Sequence, residues 1–301
     1  MSIERVAIIG LGLLGGSVGL AVAEHLPGVM TTGYDADPAV RRRAAERGLV
    51  GTVCATPEDA VHAADLVLLC VPVGAMGKAA RAFASALPVR AIVSDVGSSK
   101  QSVGAALAEA LPGRRIIPAH PVAGTERSGP DAGFATLFHH RWCILTPPAD
   151  ADPAAVAQLA AFWEALGAKV ETMDAAHHDL VLAVTSHIPH LIAYTIVGTA
   201  SDLEDVTRSE VIKYSAGGFR DFTRIAASDP TMWRDVFLSN RDAVLEMLGR
   251  FTEDLTALQR AIRRDDGEAL FDLFTRTRDI RRSIVEQGQD DARPDFGRAD
   301  H

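Results

Sequence analysis

The chain has 301 residues, 48% of them hydrophobic, enough to bury the core of one large or two ordinary domains. Its 30 basic and 39 acidic residues leave a formal net charge of −9. With no basic surplus to neutralise phosphates, neither a nucleic acid nor an anionic membrane is expected as a partner. Cys54, Cys70 and Cys143 are odd in number, far apart and outside any CxxC spacing. They argue against a disulfide framework or a thiolate metal site, and the expected location is the cytoplasm.

The first predicted strand, residues 5–10, runs straight into Gly10, Gly12 and Gly15, a GxGxxG loop that opens a helix-like stretch. The first glycine permits the tight turn, the second lets a pyrophosphate approach the backbone, and the third lets helix and strand pack closely. The same stretch could pass for a signal-peptide core, but Glu4 and five glycines between residues 6 and 23 speak against that. A second strand, 30–35, ends on Asp35, placed 20 residues after Gly15 to accept from a ribose 2′-hydroxyl. Leu13 and Leu14 in the loop, and Val71 and Pro72 at the end of the strand 65–72, complete the expected contacts to NAD. Further strands are predicted at 91–98, 115–120 and 142–148, with one more at 169–173. Several are apolar throughout, as strands buried on both faces of a parallel sheet must be. Residues 38–49 and 152–167 read as helices, the second with an Asp-Pro start and a glycine stop.

Beyond about residue 174 the strand signals vanish and the chain reads as all helix to 286. The predicted fold is therefore α/β: a doubly wound, Rossmann-like domain over 1–173, an all-α domain over 174–286, and a mobile polar tail over 287–301. No apolar run is read as reaching the ~20 residues of a membrane span. Val244, Leu248, Phe251, Leu255, Leu258 and Ile262, then Leu270, Leu273, Thr277, Ile280 and Ile284, recur at alternating steps of three and four. Such seams pack helix on helix, either within one bundle or across a homodimer.

Three motifs carry candidate chemistry. "DVGSSK" (95–100) ends a buried strand, where open α/β sheets bind ligands, so Ser98, Ser99 and Lys100 are expected to line the cleft. "AHPVAGTE" (119–126) also follows a strand; Pro121 biases His120 toward an extended backbone and delivers its ring in one direction. "TSHIPH" (185–190) puts His187 and His190 beside Pro189 in a buried helix. A zinc pair would need a third ligand that is not evident, so substrate contact is the preferred reading. In the later loop, Arg220 and Arg224 flank Asp221, either as a surface ion pair or as a carboxylate grip.

Taken together, "IIGLGLLGGS", "DVGSSK", "HPVAGTERSG", "SHIPH" and "GGFRDFTRIAASDPTMW" resemble, in order, the prephenate and arogenate dehydrogenases of tyrosine biosynthesis. The resemblance covers nearly the whole chain. It implies a Rossmann domain and a helical dimerisation domain, with NAD-dependent oxidation of a cyclohexadienyl carbinol and loss of carbon dioxide. It implies His120 as the base, Ser98 as the residue orienting it, and Thr125 and Glu126 at the pocket. It also implies His190 with His187 as substrate contacts, and Arg224, supported by Asp221 and Trp233, as the grip on the ring carboxylate. A relative acting on an amino-substituted prephenate stays open. A β-hydroxy-acid dehydrogenase is disfavoured because Lys213 is the only lysine after residue 174. A non-catalytic NAD sensor would need neither His120 nor Ser98.

Overall fold

The computed structural model describes residues 3–125, 127–202, 213 and 217–286; the expectations for Glu126 and for the tail 287–301 fall outside them. The first half alternates β1 (Arg5–Ile9), α1 (Leu13–His25), β2 (Met30–Tyr34), α2 (Pro38–Arg47), β3 (Thr52–Val53), α3 (Pro57–Val61), β4 (Leu66–Leu69), α4 (Met76–Phe83), β5 (Ile92–Asp95), α5 (Gln101–Ala110) and β6 (Arg115–Ile116). All six strands pair in parallel, in the order β3-β2-β1-β4-β5-β6. The order reverses between β1 and β4, which opens a crevice at their carboxyl ends where dinucleotides bind. Val6, Ala7 and Ile8 on β1 and the whole of β4 have no exposed surface. One apolar layer, with Leu11, Val18 and Leu49, covers one face; another, with Met76, Phe83 and Leu107, covers the other.

The run 115–120, predicted as a single strand, is two strands in two sheets. Pro118 lies between them and has no N–H to extend a ladder. β7 (Ala119–Pro121) pairs antiparallel with β8 (Trp142–Leu145), and β9 (Lys169–Thr172) adds parallel to β8. Between them α6 (Pro153–Ala165) starts on Asp152, whose carboxylate accepts from Ala154 N at 3.0 Å.

The remaining elements are α7 (Ala175–Leu182), a π turn (Ala183–His187), α8 (Ile188–Ser201), α9 (Gly217–Thr223), α10 (Pro230–Ser239), α11 (Arg241–Arg263) and α12 (Gly267–Glu286). Pro189 explains the π turn. Its missing N–H and its ring forbid an ordinary α turn, and the Ile188 N–H reaches back five residues to Ala183 O. Ala175–Ser201 corrects one expectation: it spans 27 residues at a hydropathy of 1.6, long and apolar enough to cross a membrane by length and composition. Histidines scattered along it interrupt any purely apolar run, although His178, Asp179 and His187 are themselves buried.

By contact the chain forms two compact units, one through Leu245 and one from Glu246 onward. α7 and α10 are tied to the sheet by hydrogen bonds, Asp179 to the start of α5 and Ser239 to Ser99 at 2.7 Å. In the second unit Leu255, Ile262, Ile280 and Ile284, all members of the predicted seams, are exposed.

Candidate active site

The chain leaves β1 through Gly10 at φ 101°, and the Gly10 N–H donates to Tyr34 O at 2.7 Å. A Cβ there would lie 2.5 Å from Cys70 O, and one on Gly15 would fall on the Gly10 carbonyl. Only glycine fits either place. A Cβ on Gly12 would meet nothing within 4 Å, and Gly12 heads α1 with no side-chain cap. Open space before an uncapped helix N-terminus suits a pyrophosphate. Leu13 and Leu14 form the first turn of α1, both half-buried. The Asp35 carboxylate accepts from Leu11 N and Asp37 N, both at 2.9 Å, which anchors it beside the loop. Val71 packs against Gly10 and Pro72 is exposed at the end of β4. These residues fit NAD.

His120 lies in the middle of β7, opposite Ile144 on β8. The residue before it is held on both sides: Ala119 N donates to Asp95 Oδ1 at 3.3 Å, and Ala119 O accepts from Lys100 Nζ at 2.6 Å. Lys100 also pairs with Asp95, and neither has exposed surface. Burial raises the Asp95 carboxyl and lowers the Lys100 amine, while each one's charge opposes the other's shift. Ser99 and Lys100 are therefore fully buried and do not line the cleft, which corrects the expectation for them. Ser98 is half-buried and, among the described residues, makes no hydrogen bond to His120.

The ring is oriented from elsewhere. His120 Nδ1 lies 2.9 Å from His178 Nε2, and His178 Nδ1 lies 2.9 Å from Asp179 Oδ1. Asp179 accepts as well from Lys100 N at 2.7 Å and Gln101 N at 3.0 Å, capping α5. Burial first, then the neighbouring His178, Lys100 and His187, hold His120 well below its ordinary 6.5. Sequence reasoning missed His178 and Asp179. The available signal was an aspartate after two histidines (177–179) in an apolar helical run, since a buried carboxylate must find partners.

A second wall extends from Asn240. Its Nδ2 donates to Asp179 O at 2.8 Å and to His187 Nδ1 at 3.1 Å. His187 has no exposed surface, and burial lowers it to about 4. His190 donates from Nδ1 to Ser186 O at 2.8 Å and stacks on Trp233 with ring centroids 3.6 Å apart. Burial lowers His190 too, helped by the nearby Arg224. His120, His187, His190, Trp233 and Arg224 are thus joined by a chain of contacts. Thr125 and Asp221 are exposed, and among the described residues no hydrogen bond ties them to that chain.

The family model for the prephenate dehydrogenase nucleotide-binding domain matches residues 18–172, and that for its dimerization domain matches 174–276. The cyclohexadienyl dehydrogenase of Zymomonas mobilis is 46% identical over 281 residues, 93% of this chain and 96% of that protein. The prephenate dehydrogenase of Bacillus subtilis is 32% identical over 280 residues, 92% of this chain and 75% of that one. Among solved structures, prephenate dehydrogenase from A. aeolicus with hydroxyphenyl propionate and NAD+ superposes with a TM-score of 0.88 at 33% identity, covering 94% of this chain and 99% of that one. With a Rossmann sheet, a glycine loop fitted to a dinucleotide and a buried histidine whose strand is tied to the end of β5, the chain belongs to the prephenate dehydrogenase family.

Proposed function

We propose that the protein oxidises prephenate with NAD+ and releases carbon dioxide, giving 4-hydroxyphenylpyruvate and NADH in tyrosine biosynthesis. The observation that carries this reading is His120, uncharged, held by its Nδ1, and next to Ala119, which is bonded to Asp95 at the carboxyl end of β5. In this reading Gly10, Gly12, Leu13, Leu14, Gly15, Asp35, Val71 and Pro72 hold the cofactor. When bound, NAD+ supplies the acceptor for the hydride leaving the ring carbinol carbon. His120 takes the proton from the carbinol hydroxyl, with Ser98 near the same end of the cleft. The bond to the ring carboxylate then breaks, and its electron pair completes the aromatic ring.

Arg224 is assigned to the ring carboxylate because an arginine holds that charge without protonating it. His187 and His190 are neutral near pH 7, so they contribute hydrogen bonds and shape. Asn240 donates to His187 Nδ1, which leaves the proton of the neutral ring on Nε2. His187 Nε2 and Trp233 Nε1 are buried with no hydrogen-bond partner among the described residues, so the two rings are assigned to the inner wall of the pocket, packed against each other and, through Trp233, against His190. By the resemblance, Thr125 and Glu126 are assigned to substrate binding and Asp221 to the support of Arg224. The exposed apolar residues of the second unit are assigned to a homodimer contact, with residues 1–173 for the cofactor and 174–286 for substrate and dimer.

A broader specificity is the second reading, favoured by the cyclohexadienyl dehydrogenase that shares 46% of its residues with this chain. The test is NADH formation from prephenate and from arogenate, each with NAD+ and NADP+. Turnover of prephenate supports the first reading and turnover of both the second; no turnover of either overturns both.

A further inference from the structure

His120 has two ring nitrogens, and only one carrying a lone pair toward the substrate can act as a base. The carboxylate of Asp179 can only accept. It already takes the backbone N–H groups of Lys100 and Gln101, at 2.7 and 3.0 Å, so it stays where the start of α5 holds it. His178 Nδ1 lies 2.9 Å from the same carboxylate and must carry a proton there. Burial lowers His178, partly offset by Asp179, so the ring is neutral and its Nε2 is a lone pair. That lone pair lies 2.9 Å from His120 Nδ1, which must therefore be the donor. A neutral His120 with its proton on Nδ1 has its lone pair on Nε2. That atom takes no hydrogen bond among the described residues and is not among the buried unpartnered atoms.

We infer that His178 and Asp179 are positioning residues which, as a chain Asp179–His178–His120, fix the tautomer of His120 so that Nε2 is the base. The inference rests on His120 being the base. No proton has to travel the length of the chain. When His120 Nε2 gains the substrate proton, its Nδ1–H keeps its bond to His178, and the fixed Asp179 charge lies behind that bond. The arrangement follows the logic of a hydrolase triad, in which a carboxylate selects the histidine tautomer. Here a second imidazole stands between carboxylate and base. Protonation of His178 would reverse the chain: its Nε2 would donate, and His120 would carry its proton on Nε2, unable to accept. Lys100, just before α5, bears on the same pair as a positive neighbour, His187 on the π turn does so only once it is protonated, and Asp95 and Asp179 are negative neighbours. Gly12, Asp35 and Arg224 are not members of this chain, so its loss is expected to act on kcat rather than on the affinities for cofactor and substrate.

The experiment compares His178→Phe, His178→Gln and His120→Asn in the full chain. Nitrogen-15 histidine spectra report the His120 tautomer, with its signal assigned by its loss in His120→Asn. The parent should show His120 protonated on Nδ1. His178→Phe should show a mixture, with kcat down at least about tenfold and KM for both substrates unchanged; a wrong triad tautomer, worth ~10⁴, sets the upper limit. His178→Gln offers a carbonyl acceptor at similar reach and should recover part of the kcat and the Nδ1–H form. A parent His120 protonated on Nε2 overturns the inference, as does a His178→Phe variant with parental kcat. Full activity in His120→Asn would overturn instead the assignment of His120 as the base.

Discussion

Replacing Lys100 with methionine keeps most of the stem and removes the charge from a pair with no exposed surface. Two bonds go, one to Asp95 and one, at 2.6 Å, to Ala119 O. Asp95 keeps the N–H groups of Gly97 at 2.8 Å and Ala119 at 3.3 Å but loses its counter-charge. Removing one partner of a buried pair costs about 3–5 kcal/mol, because the other charge is left uncompensated. Burial already raises the Asp95 carboxyl, and Lys100 is the main influence opposing it. In the variant the carboxyl protonates more easily, which relieves part of the cost and favours the lower end of that range. At roughly 2–4 °C per kcal/mol for a unit of this size, the melting temperature should fall by about 6–12 °C.

The sign with pH follows. A carboxyl raised in the folded state destabilises increasingly as pH climbs above its unfolded value toward the folded one. The deficit should therefore be smaller at pH 5 than at pH 8. Calorimetric melts of parent, Lys100→Met and the double variant Lys100→Met/Asp95→Asn at both pH values provide the assay. The neutral amide can still accept from Gly97, so the double variant should recover most of the loss. kcat should fall as well, since Ala119 precedes His120. A melting temperature and kcat equal to the parent's would refute the view that this pair holds the strand of His120.

His120→Asn should lower kcat by about 10²–10⁴, the usual worth of a positioned base, while NAD+ binding measured by fluorescence titration survives. In the parent, kcat/KM should fall on the acid side as His120 protonates. Because burial and its positive neighbours lower that ring, the midpoint should lie below 6.5, and a midpoint at or above 6.5 contradicts the burial described. Arg224→Ala should raise KM for prephenate, with about 2–5 kcal/mol lost, and leave NAD+ affinity nearly intact; an unchanged KM removes Arg224 from the site. NAD+ should be preferred over NADP+ at least about tenfold in kcat/KM, roughly 1.4 kcal/mol, because the anchored Asp35 repels a 2′-phosphate. Equal efficiencies would contradict this. Finally, His187 is lowered from 6.5 to about 4 by burial. A depressed histidine contributes stability that is whole above 6.5 and is lost as pH falls toward the folded value, so thermal melts should decline across that window and do so less in His187→Gln.

Much of the site was legible because its signals are local. The glycine loop, Asp35 and the apolar strands carry their own backbone requirements, and the structure puts them where their spacing predicts, except that the run 115–120 is divided between two sheets. The position of His120 was legible as a residue at a strand-like end, although its strand belongs to the second sheet. The short β3, with only two residues, carried too little pattern to be seen.

What the sequence by itself determined is thus the alternation of strands and helices, the dinucleotide loop and the set of residue types available for chemistry. Which of them meet was decided by the tertiary structure. Lys100 and Ser98 stand two residues apart in a motif that reads as a cleft lining, yet Lys100 turns inward to Asp95 and Ser98 does not. The contact orienting His120 comes from 58 residues away, on a helix whose periodicity says only that it is buried. The physical reason is that periodicity and turn chemistry report the energy of a segment with its immediate neighbours, whereas a buried charge or imidazole is satisfied by whichever distant group the packing brings within about 3 Å.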